Sequence, residues 1–181
     1  MNIKHISTYS LIIEKHTKFR FEKNIDDEID YEMYKLINKK LANYHHYEVS
    51  NFSLDGYESK HNLVYWNNNK YYGFGLGASG FIDDIRYENN RNILEYINGK
   101  FLKDYEKIDE LKDMQNEMIL GLRKLDGVSK KNFYLKYGKK IEDVFDIKEL
   151  LNSKKLIDNG KNIYISSDYI YLSNEILINF I

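Results

Sequence analysis

The tightest constraint on this chain's fold lies near its end. Two short apolar runs, Lys155-Leu156-Ile157-Asp158 and Asn162-Ile163-Tyr164-Ile165, are separated by Asn159-Gly160. An Asn-Gly pair supplies the positive φ angles of the tight turn whose twist matches paired strands, so this segment predicts a β-hairpin. Ahead of it, residues 109–125 carry Leu111, Met114, Met118, Leu122 and Leu125 on one helical stripe. Gly127-Val128-Ser129 breaks that helix and caps a second one ending at Tyr137-Gly138, and Ile147–Ser153 predicts a third. A last helix over Ser167–Phe180 places Ile170, Ile176 and Ile178 inward. Helices followed by a small hairpin predict a winged-helix-like α-helical domain over 109–181.

Residues 1–108 have a different texture. Ile3, Ile6, Thr8, Tyr9, Ile12 and Ile13 predict one largely buried strand. Asn24 or Asp26 caps a helix whose early acids Asp26, Asp27 and Glu28 complement its positive end, and whose apolar face is Ile29, Met33, Leu36, Ile37 and Leu41. Tyr44 to Phe52 predicts a further strand, closed by a turn at Asp55-Gly56. A short helix over Ser59–Trp66 leads to a polar tip at Asn67–Lys70. From Tyr72 to Tyr87 the pattern is strand, glycine-rich bend and returning strand. Residues 90–98 form a brief helix ended by Asn98-Gly99, and 101–108 an edge strand.

Composition excludes several classes. A net charge of -1 gives no field that would draw the chain onto nucleic acid or anionic lipid. No apolar run approaches the roughly 18 residues that span a bilayer. Met1-Asn2-Ile3-Lys4-His5 lacks a signal-peptide layout, so a cytoplasmic location is expected. The absence of cysteine removes disulfides, thiolate catalysis and cysteine-held iron–sulfur clusters. The absence of proline, with 17 tyrosines and Lys preferred over Arg, reads as the bias of an AT-rich genome.

Two segments suggest a binding site for a flat aromatic ligand. In His61-Asn62-Leu63-Val64-Tyr65-Trp66, the imidazole and phenol are four residues apart and share a helix face, and Asn62 and Trp66 form a second such pair. Neutral imidazole ligates haem iron, and aromatic rings, here also Tyr71, Tyr72 and Phe74, stack on a macrocycle. The bland reading of His61 is a buried histidine hydrogen-bonded in an aromatic cluster. Gly75-Leu76-Gly77-Ala78-Ser79-Gly80 matches G-x-G-x-x-G, but Phe81 to Tyr87 lacks the helical stripe that dinucleotide binding requires. Its glycines therefore predict tight bends or close backbone approach. His45 and His46, adjacent on a strand, point to opposite faces and find no acid at a familiar ligand spacing. Lysines 130, 131, 136, 139, 140, 154 and 155 are interleaved with acids and read as a solvated surface, which argues against nucleic acid as a partner. No nucleophile–base pair stands out.

The segment order resembles the C-terminal half of the oxygen-independent coproporphyrinogen III oxidase-like family of radical S-adenosylmethionine (SAM) proteins, closest to its haem-chaperone (HemW-type) branch. The residues carrying the resemblance are His5-Ile6-Ser7-Thr8-Tyr9-Ser10-Leu11 with Glu14 and Thr17, Tyr47-Glu48-Val49-Ser50-Asn51-Phe52, His61-Asn62-x-x-Tyr65-Trp66, Gly73-Phe74-Gly75-x-Gly77-Ala78-Ser79 and Asn116-Glu117-Met118-x-x-Gly121-Leu122-Arg123. It implies an α+β fold, in which the last strand and extension of a partial (β/α) radical-SAM barrel occupy 1–108 and the winged-helix-like domain follows. It implies haem binding by His61, a pocket shaped by Asn62, Tyr65, Trp66, Gly73, Gly75 and Gly77, and places Ser79 and Ile12 near the SAM site.

Departures from the family matter. The CxxxCxxC cluster motif is absent, so neither a 4Fe-4S cluster nor SAM is expected to be bound by this chain alone, and no catalysis is assigned to it. Lys15-His16 stands where the family has Pro-Gly, and Leu54-Asp55 where Lys-Pro is usual. The chain looks like a truncated member. Residues 1–50 are then expected to self-associate or to meet a separate chain supplying the rest of the barrel, while 109–181 folds independently. The competing readings are a winged-helix module binding nucleic acid or protein, and an inactive remnant.

Overall fold

The computed structural model describes residues 3–13, 17–19 and 26–181. Glu14, Lys15-His16 and the alternative cap Asn24 lie outside the described residues. The fold is mixed α/β, with three small antiparallel sheets and short helices. No described helix is long and apolar enough to cross a membrane.

The first sheet joins β1 (His5–Ser7), β2 (His45–Glu48) and β3 (Asn51–Ser53), with β3 in the centre. This corrects two expectations. The strand expected over 3–13 pairs only through Ser7, where Ile6 faces Phe52, and beyond it Tyr9, Leu11 and Ile12 are exposed. Nothing among the described residues covers those side chains, so their apolar character does not translate into burial. Tyr44 to Phe52 is a hairpin instead of one strand. Glu48 drives the reversal: its carboxylate, 1% exposed, accepts from the Asn51 amide across the turn. The hairpin turn docks on the C-terminal region, where Val49 N–H donates to Arg123 O and Leu125 N–H to Tyr47 O.

Helix α1 (Asp27–Lys40) is capped by Asp26, whose carboxylate accepts from Glu28 N–H. Its apolar stripe is not its buried face. Ile29, Met33 and Leu36 are exposed, and the helix is held through tyrosines instead: Tyr31 and Tyr34 pack on Tyr171, whose hydroxyl donates to Asp30 at 2.9 Å.

The second sheet is β4 (Ser79–Ile82), β5 (Ile85–Asn89) and the exposed edge β6 (Leu102–Lys107). Its hairpin turns at Asp83-Asp84, both at positive φ, and not at the glycines. Before it comes α2 (Lys60–Trp66), and between β5 and β6 lies α3 (Ile93–Ile97), capped by Asn92.

The C-terminal region follows its sequence closely. Helix α4 (Glu110–Gly121) buries Met114 and Met118, while Leu111 remains exposed. Val128–Ser129 forms β7, and Ser129 caps α5 (Lys130–Tyr137), which Gly138 ends in the left-handed conformation. An extra short helix, α6 (Ile141–Val144), precedes α7 (Lys148–Asn152). Strands β8 (Leu156–Asp158) and β9 (Asn162–Ile165) form the expected hairpin, although Gly160 alone, and not Asn159, holds positive φ in its turn, and β7 adds to β9 to give the order β7-β9-β8. The final segment is broken: a 3₁₀ turn over 167–169, α8 (Ser173–Leu177) and a second 3₁₀ turn over 178–180. Ile170 and Ile176 are buried as expected, but Ile178 points outward.

Candidate functional site

Ser59 caps α2 by accepting from Asn62 N–H, and the helix projects His61 into solvent. The bland expectation of a buried histidine is therefore wrong. Tyr65, one turn on, approaches the imidazole edge-on with centroids 4.9 Å apart, and its hydroxyl lies 3.1 Å from His61 Nε2. Tyr71 meets Tyr65 edge-on in turn, at 4.6 Å. Tyr71 is itself fixed by paired backbone hydrogen bonds with Phe81 on β4. A ladder of rings thus runs from an exposed imidazole to a sheet. Burial pushes the Tyr71 phenol above its ordinary value, partly offset by the nearby Arg86 guanidinium.

The glycines are explained by close approach. A side chain at Gly73 would lie 2.2 Å from Ser79 O, and one at Gly80 would collide with the Tyr87 ring. Gly75 and Gly77 hold positive φ. Asn89 pins the loop by donating to Gly73 O and Gly75 O, while the Tyr87 hydroxyl accepts from Gly73 N–H. The loop presents Tyr72 and Phe74, stacked at 5.7 Å and exposed, to solvent. Tyr87 and Asn89 escaped the sequence reading, because their partners are backbone groups more than ten residues away and leave no local signal.

Other predicted site residues separate. Trp66 is half-buried and turns toward the C-terminal region, its ring 5.7 Å from the Arg123 guanidinium and its indole N–H buried without an acceptor among the described residues. Asn62 is half-buried, and Ser79 is exposed on β4. Ile12 lies beyond the end of β1 and is 74% exposed. His46 stacks on Phe52 at 4.1 Å, and burial lowers its pKa. His45 does meet acids, contrary to the linear spacing: its ring and the carboxylates of Asp55 and Glu58 hold donor atoms within 4.8 Å of one another.

The polar tip after α2 is a clamp, not a free surface. Asn68 is 4% exposed and donates to the Asp113 carboxylate at 2.7 Å. Asp113 also receives the Tyr137 hydroxyl at 2.9 Å and pairs with Lys136 at 3.1 Å. Burial opposes ionisation of Asp113, but Lys136, Tyr137 and Asn68 together outweigh it and hold the carboxyl below its usual range. Burial, with Glu117 and Asp113 nearby, raises the Tyr137 phenol. Beside the clamp, Lys124 donates to Asn67 and is lowered by burial, in a polar cleft of about 550 Å³. The helix carrying His61 is thereby fastened to α4 and α5.

Residues 108–175 match the HemN C-terminal domain family. Across its length the chain is 36% identical to the haem chaperone HemW of Lactococcus lactis, covering 100% of this chain and 51% of that protein. It is 37% identical to HemW of Bacillus subtilis, covering 97% and 50%. The structure superposes on coproporphyrinogen III oxidase (HemN) of Escherichia coli, described as a radical SAM enzyme, with a TM-score of 0.67 over 87% of this chain and 42% of that one. At 11% identity that likeness concerns the fold. The chain spans about half the length of the curated relatives it matches.

Proposed function

The chain is homologous to the C-terminal half of the haem chaperone HemW, and on that footing we propose that it supplies the haem-binding part of such a chaperone, with His61 as iron ligand and haem as cargo. The observation that carries this is an exposed imidazole backed by Tyr65 and Tyr71. In the tautomer protonated at Nδ1, the Tyr65 hydroxyl donates to Nε2 and marks it as the lone-pair atom. That bond is solvent-exposed, so iron can displace the phenol at small cost. Stacked Tyr72 and Phe74, held out on the glycine loop, supply a second apolar wall. The residues present fit a haem; they do not fit a 4Fe-4S cluster, which takes thiolates that this chain lacks.

The finer architecture belongs to the same reading. Residues 109–181 serve as a winged-helix-like scaffold, distinct from the tail and extension before them. Its lysines support a scaffold over a nucleic-acid surface: Lys130 pairs with Glu142 and Asp158, Lys136 with Asp113 and Glu117, and Lys139 with Glu110. Ile12 and Ser79 would face SAM, and Ile3 and Leu11 a further barrel strand or a second copy, only in the assembled protein. The test is a haem titration followed at the Soret band. Saturable binding with a histidine-ligated spectrum, lost in a folded His61→Ala variant, is the expected result. Equal binding and spectra in both proteins would reject His61 as ligand.

A further inference from the structure

The strand register sets four residues in one row across the second sheet. Tyr71 bridges Phe81, Phe81 faces Arg86, and Arg86 faces Glu106. Residues directly opposite in antiparallel strands project from the same face. The row therefore continues the ladder that begins at His61 and Tyr65, ending at a guanidinium whose carbon lies 5.4 Å from the Phe81 centroid.

Among the described residues that guanidinium has no carboxylate partner. Arg86 is half-buried, its Nε is buried without an acceptor, and its one ring contact is with Phe81. The carboxylates flanking it are engaged elsewhere. Glu106, its cross-strand neighbour, pairs with Lys112; Glu88, two residues along the same face, is shared by Arg91 and Lys103; Asp84 at the turn pairs with Lys70. A cation partly removed from water without an anion or acceptor is unfavourable, and guanidinium is the group best shaped to grip a carboxylate through two parallel N–H bonds. An anion at the end of an aromatic ladder is what this arrangement lacks.

We propose that Arg86 receives a carboxylate side chain of the bound haem, so that the site selects tetrapyrroles with free acid groups. The inference rests on the haem reading above and adds to it a residue, a contact and a ligand class.

The test compares haem with haem dimethyl ester, in which the carboxylates are masked, on the full chain and on Arg86→Gln, Arg86→Lys and His61→Ala, each confirmed folded by circular dichroism. The wild-type chain is expected to bind haem about tenfold or more tightly than the ester. Arg86→Gln should bind both at the ester's affinity with an unchanged Soret position, since iron ligation persists, and Arg86→Lys should fall between. Equal affinity of the wild type for acid and ester would overturn the proposal, as would undiminished discrimination in Arg86→Gln. Should an Arg86 variant not fold, the wild-type acid–ester comparison still decides whether carboxylates are recognised. Failure of the wild type to bind either form, or binding untouched by His61→Ala, would instead sink the haem reading beneath it.

Discussion

From Met114 to Phe180 fifteen buried side chains form one continuous cluster, whereas before residue 108 only Tyr47, Phe52 and Phe81 among the described apolar residues reach comparable burial. The earlier region is not short of apolar residues; it leaves them outside. Ile29, Met33 and Leu36 on α1, Ile93, Leu94 and Ile97 on α3, and Tyr72 and Phe74 on the glycine loop all face solvent. The contrast assigns work to each part. The C-terminal region holds itself together by burial, and the rest is held to it by specific polar and aromatic contacts. Ligand-handling segments are commonly drawn from the less stable end of a structure, where rearrangement costs least. The His61 helix, which we propose handles the ligand, is exposed at its start and clamped at its end by Asn68 to Asp113.

The largest expected effect attacks the core side of this comparison. Phe133 is 1% exposed, and Phe133→Ala should cost about 3–5 kcal/mol and bring the C-terminal region near unfolding in a urea titration. Ile12→Ser, on the exposed side, should shift stability by no more than about 0.5 kcal/mol. Comparable losses in both would erase the distinction. Next come two glycines with equally crowded surroundings but different neighbourhoods. A Cβ at Gly127, at φ +68°, would sit 2.1 Å from Ile163 O, so Gly127→Ala should lower global stability by about 1–3 kcal/mol. Gly73→Ala meets Ser79 O at 2.2 Å and should leave the urea midpoint of the C-terminal region in place while displacing the loop and weakening haem binding.

The clamp gives a pH dependence with a definite sign. Asp113 has a folded-state pKa below its unfolded value of about 3.9. Its contribution is therefore fully present above that unfolded value and is lost as pH falls through the folded one. Asp113→Asn should remove about 1–3 kcal/mol at neutral pH and flatten this part of the acid limb. An acid limb of unchanged shape would show that the clamp carries no stability. The smallest effect is expected at the α1 contact, where Tyr171→Phe deletes the bond to Asp30 and should cost about 0.5–1.5 kcal/mol, measured by thermal unfolding.

How much of this was legible in the sequence follows from the range of the interactions. The Asn159-Gly160 hairpin, the Ser129 cap, the Gly138 stop and the α4 stripe apart from Leu111 are set by residues within a few positions of one another, and each was readable. So was α2 with His61 and Tyr65 on one face. The reversal between Glu48 and Asn51 was not, since Val49-Ser50 carries no turn signature and a buried carboxylate–amide contact drives it. Asn68 read as loop polarity because its partner, Asp113, is 45 residues away. The exposed α1 stripe misled for the complementary reason: periodicity predicts a helix and an apolar face but not what covers that face. Arg86 stands out only once the register shows which carboxylates are already engaged.

Native-state hydrogen exchange with and without haem tests the division of labour most directly. Amides of α4, α5 and β9 should be the most protected in the free chain and change little when haem is added, while protection rises in α2, the 73–80 loop and β5. Uniform protection along the chain, or a haem response centred on residues 109–181, would contradict it.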